Sequence, residues 1–479
     1  MAGYTRVSAQ AGVESARLTV DMGADEHLPR LRLTTGEMAY GPHAVARYDG
    51  KVIFVRGAAP NEEVDVVLRE DRRSYAFADT VAVVQPSAER RSPPCAYLPA
   101  CGGCPWQHVS YAAQLAAKRR IVREQLRRIA GLEVDVEPVL PSPQEFGYRR
   151  RIKLRADAGQ LGYYAAASHD LVPVAQCLLA EPAAAGAIEA ATALAGALHV
   201  RLRRIELIGR AATGAEVVIA AEIEGAWDAR DEPTCRDWLA GRSAVRGLVL
   251  RGRGWQRQWG DTLVEIEPES GLVLQAHAPT FTQVNPAANR LLVATVMRYA
   301  DPQPGERVLD LYAGVGNFSF PLRRRGAAVT AVEQDRQAAA DAIANQGRHP
   351  DLAIRVINAR AERAIEQLVA AGAAFDAVVL DPPRSGAAGC IGSLLRLAPR
   401  RLVYVACDPA TLARDLAALR TRYDIDAVQP VDMFPHTYHI ETVVRATLSC
   451  QSGTPGVSSA RRHESAEPSR RRRTRRRTS

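Results

Sequence analysis

Long apolar runs are missing from this chain of 479 residues. Nothing in it approaches the roughly 20 consecutive apolar residues of a membrane-crossing helix, so no membrane partner is expected. The N-terminus has no basic stretch followed by an apolar run, the pattern of a secretory signal, and a cytoplasmic location is expected. Lysine is nearly absent: it stands only at positions 51, 118 and 153, so all but three of the 62 basic residues are Arg. Genome composition accounts for a bias of that kind. The net charge of +9 is also unevenly spread, because residues 450–479 hold nine Arg and two Glu, a net +7. Whole-chain charge therefore says little about nucleic acid, and local clusters must carry that case. A balance of 47% hydrophobic and 24% charged residues excludes wholesale disorder, and the length suits about three domains. Eight Cys are present. A cytoplasmic chain of this size needs no disulfides, and nothing calls for an obligate protein partner.

Residues 1–30 lack periodicity and read as a flexible leader. Residues 31–86 hold short alternating runs (51–55, 63–68 and 75–84) separated by Gly and Pro turns, which predicts a small β-barrel. A central region spans 87–279. Within it, 111–129 has helical periodicity, with Leu115, Ile121, Val122, Leu126 and Ile129 on the apolar stripe. Lys118, Arg119, Arg120, Arg123, Arg127 and Arg128 occupy the other positions. Residues 149–155 alternate with period two, placing Arg151, Lys153 and Arg155 on one face. Both basic faces could meet phosphates or be merely solvated. From 280 to 448 strand-length apolar runs at 308–311, 328–332, 377–380 and 402–406 alternate with helical text, which predicts a parallel sheet with crossover helices. Residues 449–479 are Ser-, Gly- and Arg-rich and are expected to be disordered. The fold class is multidomain α/β.

The first strand of that sheet leads into Asp310-Leu-Tyr-Ala-Gly-Val-Gly-Asn-Phe-Ser319. Gly314 and Gly316 let the backbone turn sharply and approach a ligand. Glu333 ends the next strand, where an acid can accept both ribose hydroxyl protons. Three readings compete: a nicotinamide site, a purely structural turn, or a site for S-adenosyl-L-methionine. Ser319 replaces the third glycine of the dinucleotide fingerprint, and an acidic ribose clamp without a pyrophosphate cradle fits the third reading best. Asp381-Pro-Pro-Arg384 holds Asp381 stiffly at a strand end. Amino-group methyltransferases carry an aromatic where Arg384 stands, so another acceptor atom is favoured.

Cys407 ends the strand at 402–406 and precedes a helix, whose N–H groups and dipole are expected to lower the thiol pKa. A buried hydrophobic Cys is the competing reading. His436, His439 and Glu441 lie in the segment 434–444, and a carboxylate beside a nucleophilic Cys could take a proton from carbon. Alone, Glu441 is only a strand-edge acid. Gln283 and Asn285 could equally be helix caps. Finally, Cys95, Cys101 and Cys104 fall within ten residues, with Gly102 and Gly103 permitting a tight loop, and Cys177 follows 73 residues later. Four thiolates suit zinc or an iron–sulfur cluster, but from spacing alone Cys177 could also be an unrelated buried cysteine.

Taken together, Cys95-x5-Cys101-Gly-Gly-Cys104-x2-Gln107-His108, the loop 310–317, Asp381-Pro-Pro-Arg384, Cys407-Asp-Pro409 and His439-Ile-Glu441 resemble the RNA uracil-C5 methyltransferase family. The resemblance is to its 23S ribosomal RNA branch, with an N-terminal TRAM barrel and a [4Fe–4S] cluster. It covers roughly residues 31–447. It implies cluster ligands Cys95, Cys101, Cys104 and Cys177. It implies S-adenosyl-L-methionine contacts at Gln283, Tyr312, Gly314, Gly316, Asn317, Glu333 and Asp381. Cys407 would be the nucleophile that adds to uracil carbon 6, and Glu441 the base. Arg360 departs from the family pattern, standing where an Asp near the adenine is usual. Transfer RNA as the substrate, amino-nitrogen methylation and an inactive RNA-binding protein are the rival readings.

Overall fold

A computed structural model describes residues 30–210 and 214–449; the expected leader, except Arg30, and the Arg-rich tail, except Ser449, lie outside them. The alternating runs near the N-terminus form β1 (Arg30–Met38), β2 (His43–Tyr48), β3 (Lys51–Arg56), β4 (Glu63–Asp71) and β5 (Tyr75–Gln85). They close in the order β1-β2-β3-β5-β4. Every second residue turns inward, burying Ile53, Val55, Val64, Val66, Ala76 and Ala78. Closure leaves no open strand edge.

After an irregular cysteine-bearing loop comes α1 (Tyr111–Gln125), capped by the Ser110 hydroxyl, which accepts from the Ala113 N–H. A single π turn over Leu126–Ala130 extends it, and Gly131 at φ 60° stops it. Ile121, Val122 and Leu126 are buried, but Ile129 is 44% exposed, a correction to the expected stripe. The π turn inserts an extra residue per turn and rotates Ile129 off the apolar face.

Ten further elements build the middle of the chain. The strands are β6 (Arg151–Asp157), β7 (Gln160–Tyr164), β8 (Leu171–Pro173), β9 (Arg201–Gly209), β10 (Val217–Glu224), β11 (Val245–Gly252) and β12 (Trp255–Gly260). They form one sheet in the order β12-β11-β10-β9-β6-β7-β8. The helices α2 (Pro182–Gly186), α3 (Ile188–Ala197) and α4 (Asp231–Ala240) join them. A hairpin, β13 (Leu263–Glu269) and β14 (Leu272–His277), and α5 (Pro286–Ala300) lead into the last sheet.

That sheet holds β15 (Arg307–Leu311), β16 (Ala328–Glu333), β17 (Arg355–Asn358), β18 (Ala377–Leu380), β19 (Arg401–Ala406), β20 (Tyr423–Val431) and β21 (Glu441–Leu448). Its crossover helices are α6 (Ser319–Arg324), α7 (Arg336–Arg348), α8 (Ala361–Ala370), α9 (Ala388–Leu397) and α10 (Pro409–Leu419). The order is β17-β16-β15-β18-β19-β21-β20. The first five strands run parallel, as the apolar runs predict, while β21 lies antiparallel to both β19 and β20. No helix among the described residues is long and apolar enough to cross a membrane.

Two candidate phosphate contacts are instead structural. Lys118 is fully buried, its Nζ 2.6 Å from Asp432 Oδ1 and donating to the Phe434 carbonyl at 3.1 Å. Arg151 is also buried, pairing with Glu206 and donating to the carbonyls of Ala278 and Thr280, both at 2.8 Å. In each case a carboxylate on a neighbouring element turns the cation inward. Arg123, Arg127, Arg128 and Lys153 remain exposed.

The Lys118–Asp432 pair ties α1 to the segment after β20. Removing one partner leaves the other charged and buried. Lys118→Ala should lower stability to urea by about 3–5 kcal/mol, whereas Lys118→Met combined with Asp432→Leu should recover most of the loss. Equal stability of Lys118→Ala and the parent protein would contradict this role.

Candidate active site

The carboxyl ends of the parallel strands gather the predicted residues along one rim, where open α/β sheets bind ligands. β15 delivers the glycine loop. Tyr312 adopts φ +62°, an uncommon conformation for a residue with a side chain. Gly314 (φ +57°) has open space where a Cβ would stand. Gly316 (φ +98°) does not: a Cβ there would come within 2.5 Å of the Phe320 ring. Both glycines thus serve a left-handed turn; at Gly316 packing excludes a Cβ as well, while the space at Gly314 leaves access. Glu333, the last residue of β16, accepts from the Gly314 N–H at 2.8 Å and the Asp335 N–H at 2.6 Å, so it braces the loop it was expected to serve.

Asn317 forms a reciprocal amide pair with Asn289 of α5, at 2.9 and 3.0 Å. Ser319, in place of the third fingerprint glycine, donates its buried hydroxyl to Asp310 Oδ2. The other oxygen of Asp310 is buried with no hydrogen-bond partner. Burial pushes this carboxyl up to about 7. An unsatisfied acceptor beneath a glycine loop suits a ligand's cationic donor. The motif contains Asp310, but nothing in its spacing marks it as unpartnered. Asn285, not Gln283, caps α5, its side chain accepting from the Ala288 N–H at 3.0 Å. Gln283 lines a cleft with Arg150, Thr282 and Asn289.

Asp381 follows β18 directly, and Cys407 follows β19. The antiparallel register of β19 with β21 pairs Ala406 with Thr442, which sets Cys407 and Glu441 opposite one another one step further on. Glu441 is buried and Cys407 half-buried. Burial raises the Glu441 carboxyl, and the Asp381 carboxyl adds to the shift, while Arg384 opposes it. Asp381 is raised too, by burial and by Asp310.

The expectation of a lowered thiol pKa is corrected here. Burial, helped by Glu441 and Asp381, pushes Cys407 up to about 12, with Arg384 acting against them. The α10 amides expected to favour the thiolate are already used: Asp408 Oδ1 accepts from the Ala410 N–H at 3.0 Å and the Thr411 N–H at 2.8 Å. Its carboxylate then stands beside the sulfur. His436 and His439 are held neutral, lowered to about 3 and about 4, chiefly by burial. His436 is fully buried at φ +68°, accepting at its backbone carbonyl from the Trp106 N–H at 3.1 Å.

The four expected cluster cysteines come together. Cys95, Cys101, Cys104 and Cys177 line a single cavity with Arg149 and Tyr163, and all four are free thiols. A side chain at Gly102 would stand 3.0 Å from the Tyr164 carbonyl, which explains the glycine. Among the described residues, no three ligating side chains converge to hold a single metal ion.

Residues 256–447 match the tRNA (Uracil-5-)-methyltransferase family, and residues 35–81 the TRAM domain. The chain is 37% identical over 417 residues to the 23S rRNA (uracil(1939)-C(5))-methyltransferase RlmD of Thiobacillus denitrificans, covering 84% of this chain and 96% of that one. The chain belongs to the RNA uracil-C5 methyltransferase family. The RlmD of Cronobacter sakazakii is 34% identical, covering 86% of this chain and 94% of its own. Among solved members, the Pyrococcus abyssi tRNA (uracil-54, C5)-methyltransferase in complex with S-adenosyl-L-homocysteine has a TM-score of 0.68 at 25% identity. That match covers 87% of this chain and 99% of the other. The TRAM match falls within the closed barrel.

The sign of the Asp310 titration gives a test on the ligand-free protein. Its folded pKa lies above its ordinary 3.8, so the folded state holds a proton that the unfolded state releases. The resulting stabilisation is fully present below about pH 4 and is lost as pH rises through about 7. Asp310→Asn keeps an acceptor for Ser319 without the charge. Relative to the parent, it should gain on the order of a few kcal/mol at pH 8 and little at pH 4, read from urea midpoints. A pH-independent difference between the two proteins would refute the assignment.

Proposed function

We propose that this protein methylates carbon 5 of a uridine in RNA, with 23S ribosomal RNA as the substrate class. The juxtaposition of Cys407 and Glu441 across β19 and β21, beside Asp381 and the glycine loop, carries the reading. Carbon 5 of uracil is too weak a nucleophile to take a methyl group unaided. Addition of the Cys407 sulfur to carbon 6 converts the ring to an enolate with electron density at carbon 5. After methyl transfer, Glu441 takes the carbon-5 proton, the ring double bond re-forms, and the carbon–sulfur bond breaks. Nucleophile and base must reach neighbouring carbons of one ring, and facing ends of paired strands provide that spacing. The base must leave its stack to enter.

S-adenosyl-L-methionine would supply the methyl group on a sulfonium whose positive charge favours ionised Cys407 and Glu441. The residues proposed to hold it are Gln283, Tyr312, Gly314, Gly316, Asn317, Glu333 and Asp381, with Asp310 added for its unpartnered buried oxygen. Relatives named for 23S ribosomal RNA support the substrate class. The likeness to the Pyrococcus abyssi transfer-RNA enzyme favours transfer RNA as the second reading.

Glu441→Gln should attack and methylate but stall as a covalent RNA adduct, because the carbon-5 proton stays in place. The adduct should survive denaturing electrophoresis. Product release at the parent rate would assign the proton to another base.

The cysteine cavity is proposed to hold a [4Fe–4S] cluster through Cys95, Cys101, Cys104 and Cys177. The donors are all thiols. The Gly103 N–H points at Cys101 Sγ (3.4 Å), the Tyr163 hydroxyl at Cys177 Sγ (3.7 Å), and Arg149 adds positive charge. Sulfurs ringing a cavity suit a polynuclear core better than one zinc ion about 2.3 Å from each. Iron–thiolate bonds would clamp the 95–104 loop to the segment around Cys177. Protein purified without oxygen should be brown with about four irons per chain, and Cys104→Ser should lose both colour and iron. Stoichiometric zinc in a colourless preparation would replace the cluster.

A further inference from the structure

The loop between β1 and β2 reaches out of the barrel into the methyltransferase site. Tyr40, on this loop, donates its hydroxyl to Asp408 Oδ2 at 3.0 Å, across 368 residues of sequence. Its ring meets Tyr438 edge-on, with centroids 5.9 Å apart. Three contacts fix the loop that carries it. The Ala39 N–H donates to the His43 carbonyl at 2.9 Å, Trp106 Nε1 to the Gly41 carbonyl at 2.9 Å, and Arg120 Nη2 to the Met38 carbonyl at 2.7 Å.

Asp408 is the residue after Cys407, and both its oxygens are engaged. One caps α10 through the N–H groups of Ala410 and Thr411; the other takes the Tyr40 hydroxyl. No residue of the methyltransferase sheet makes this second bond. We propose that Tyr40 is a positioning residue for Cys407, through which the barrel holds the nucleophile turn in its reactive orientation. The inference rests on the covalent reading of Cys407 given above.

Two consequences follow from the geometry. The bond stops Asp408 from rotating about its side chain, so the backbone that presents the sulfur is held from both sides. The donated hydroxyl also offsets part of the negative charge of Asp408. Cys407 is faced by Glu441, Asp381 and Asp408, with Arg384 opposing them; Tyr40 is faced by Asp408, Arg384 and Cys407. Without the hydroxyl, Asp408 repels the thiolate more strongly, and ionisation of Cys407 requires a higher pH. Tyr40 itself stays un-ionised, because burial and Asp408 raise its phenol well above the ordinary value.

Tyr40→Phe keeps the ring against Tyr438 and deletes only the O–H. With the full-length enzyme and RNA carrying 5-fluorouridine at the target position, the rate of covalent adduct formation at saturating RNA should fall about tenfold. Its pH profile should move to higher pH, while the affinity for RNA stays within about twofold of the parent. Asp408→Asn, which still caps α10, examines the bond from the other side: adding Tyr40→Phe to it should cost little more. An unchanged adduct rate and pH profile in Tyr40→Phe, or a defect confined to RNA affinity, would overturn the inference. If the parent enzyme forms no adduct, or Cys407→Ala turns over normally, the covalent reading fails first and the role of Tyr40 with it.

Discussion

One reversed strand organises the candidate active site. Five parallel strands bring the glycine loop, Glu333, Asp381 and Cys407 to the same rim, but parallel strands alone can offer only their carboxyl ends. β21 enters antiparallel beside β19, so its first residue, Glu441, arrives at the rim where Cys407 leaves. Carboxylate and thiol thereby face each other although 34 residues separate them in the chain. A slip of one residue in this register would turn Glu441 to the other face of the sheet.

The segment that delivers Glu441 is held by groups from outside the sheet. Lys118 engages Asp432 and Phe434; the Asn285 amide donates to the Met433 carbonyl at 3.2 Å; Tyr148 donates to the Pro435 carbonyl at 3.1 Å; and Gln114 accepts from the His436 N–H at 2.8 Å. Trp106, two residues beyond Cys104, reaches the same segment and the barrel loop together. The middle of the chain and the barrel thus bear directly on the chemistry. Electrostatics adds a second layer. Burial first, and then the neighbouring Glu441, Asp381 and Asp408 against Arg384, raise the Cys407 thiol and favour its protonated form in the free protein.

Local features were legible in the sequence. The closed barrel, four of the five parallel strands, the glycine turns and the grouping of Cys95, Cys101 and Cys104 follow from short-range pattern or spacing, whereas Cys177 joins them only through the family resemblance. Non-local pairings were not. Glu441 reads as an edge acid until β21 is paired with β19. Lys118 and Arg151 look like solvated cations until Asp432 and Glu206 are brought to them. Asn289 looks like any helix residue until Asn317 meets it. The thiol pKa turns on burial beside Glu441 and Asp381, which only the paired strands bring together, while the amides that a strand end before a helix promises are taken by the adjacent Asp408. Ile129 was misplaced because a π turn leaves no mark in a 3.6-residue pattern.

The central claim is that Cys407 forms a bond to the target base. Intact-mass and peptide mapping of the wild-type protein, trapped on RNA bearing 5-fluorouridine in the presence of S-adenosyl-L-methionine, tests it most directly. The account predicts one RNA adduct per chain, carrying one added methyl group and mapping to the peptide that contains Cys407. An adduct on another residue, or methylated product formed with no adduct at any time, would contradict it.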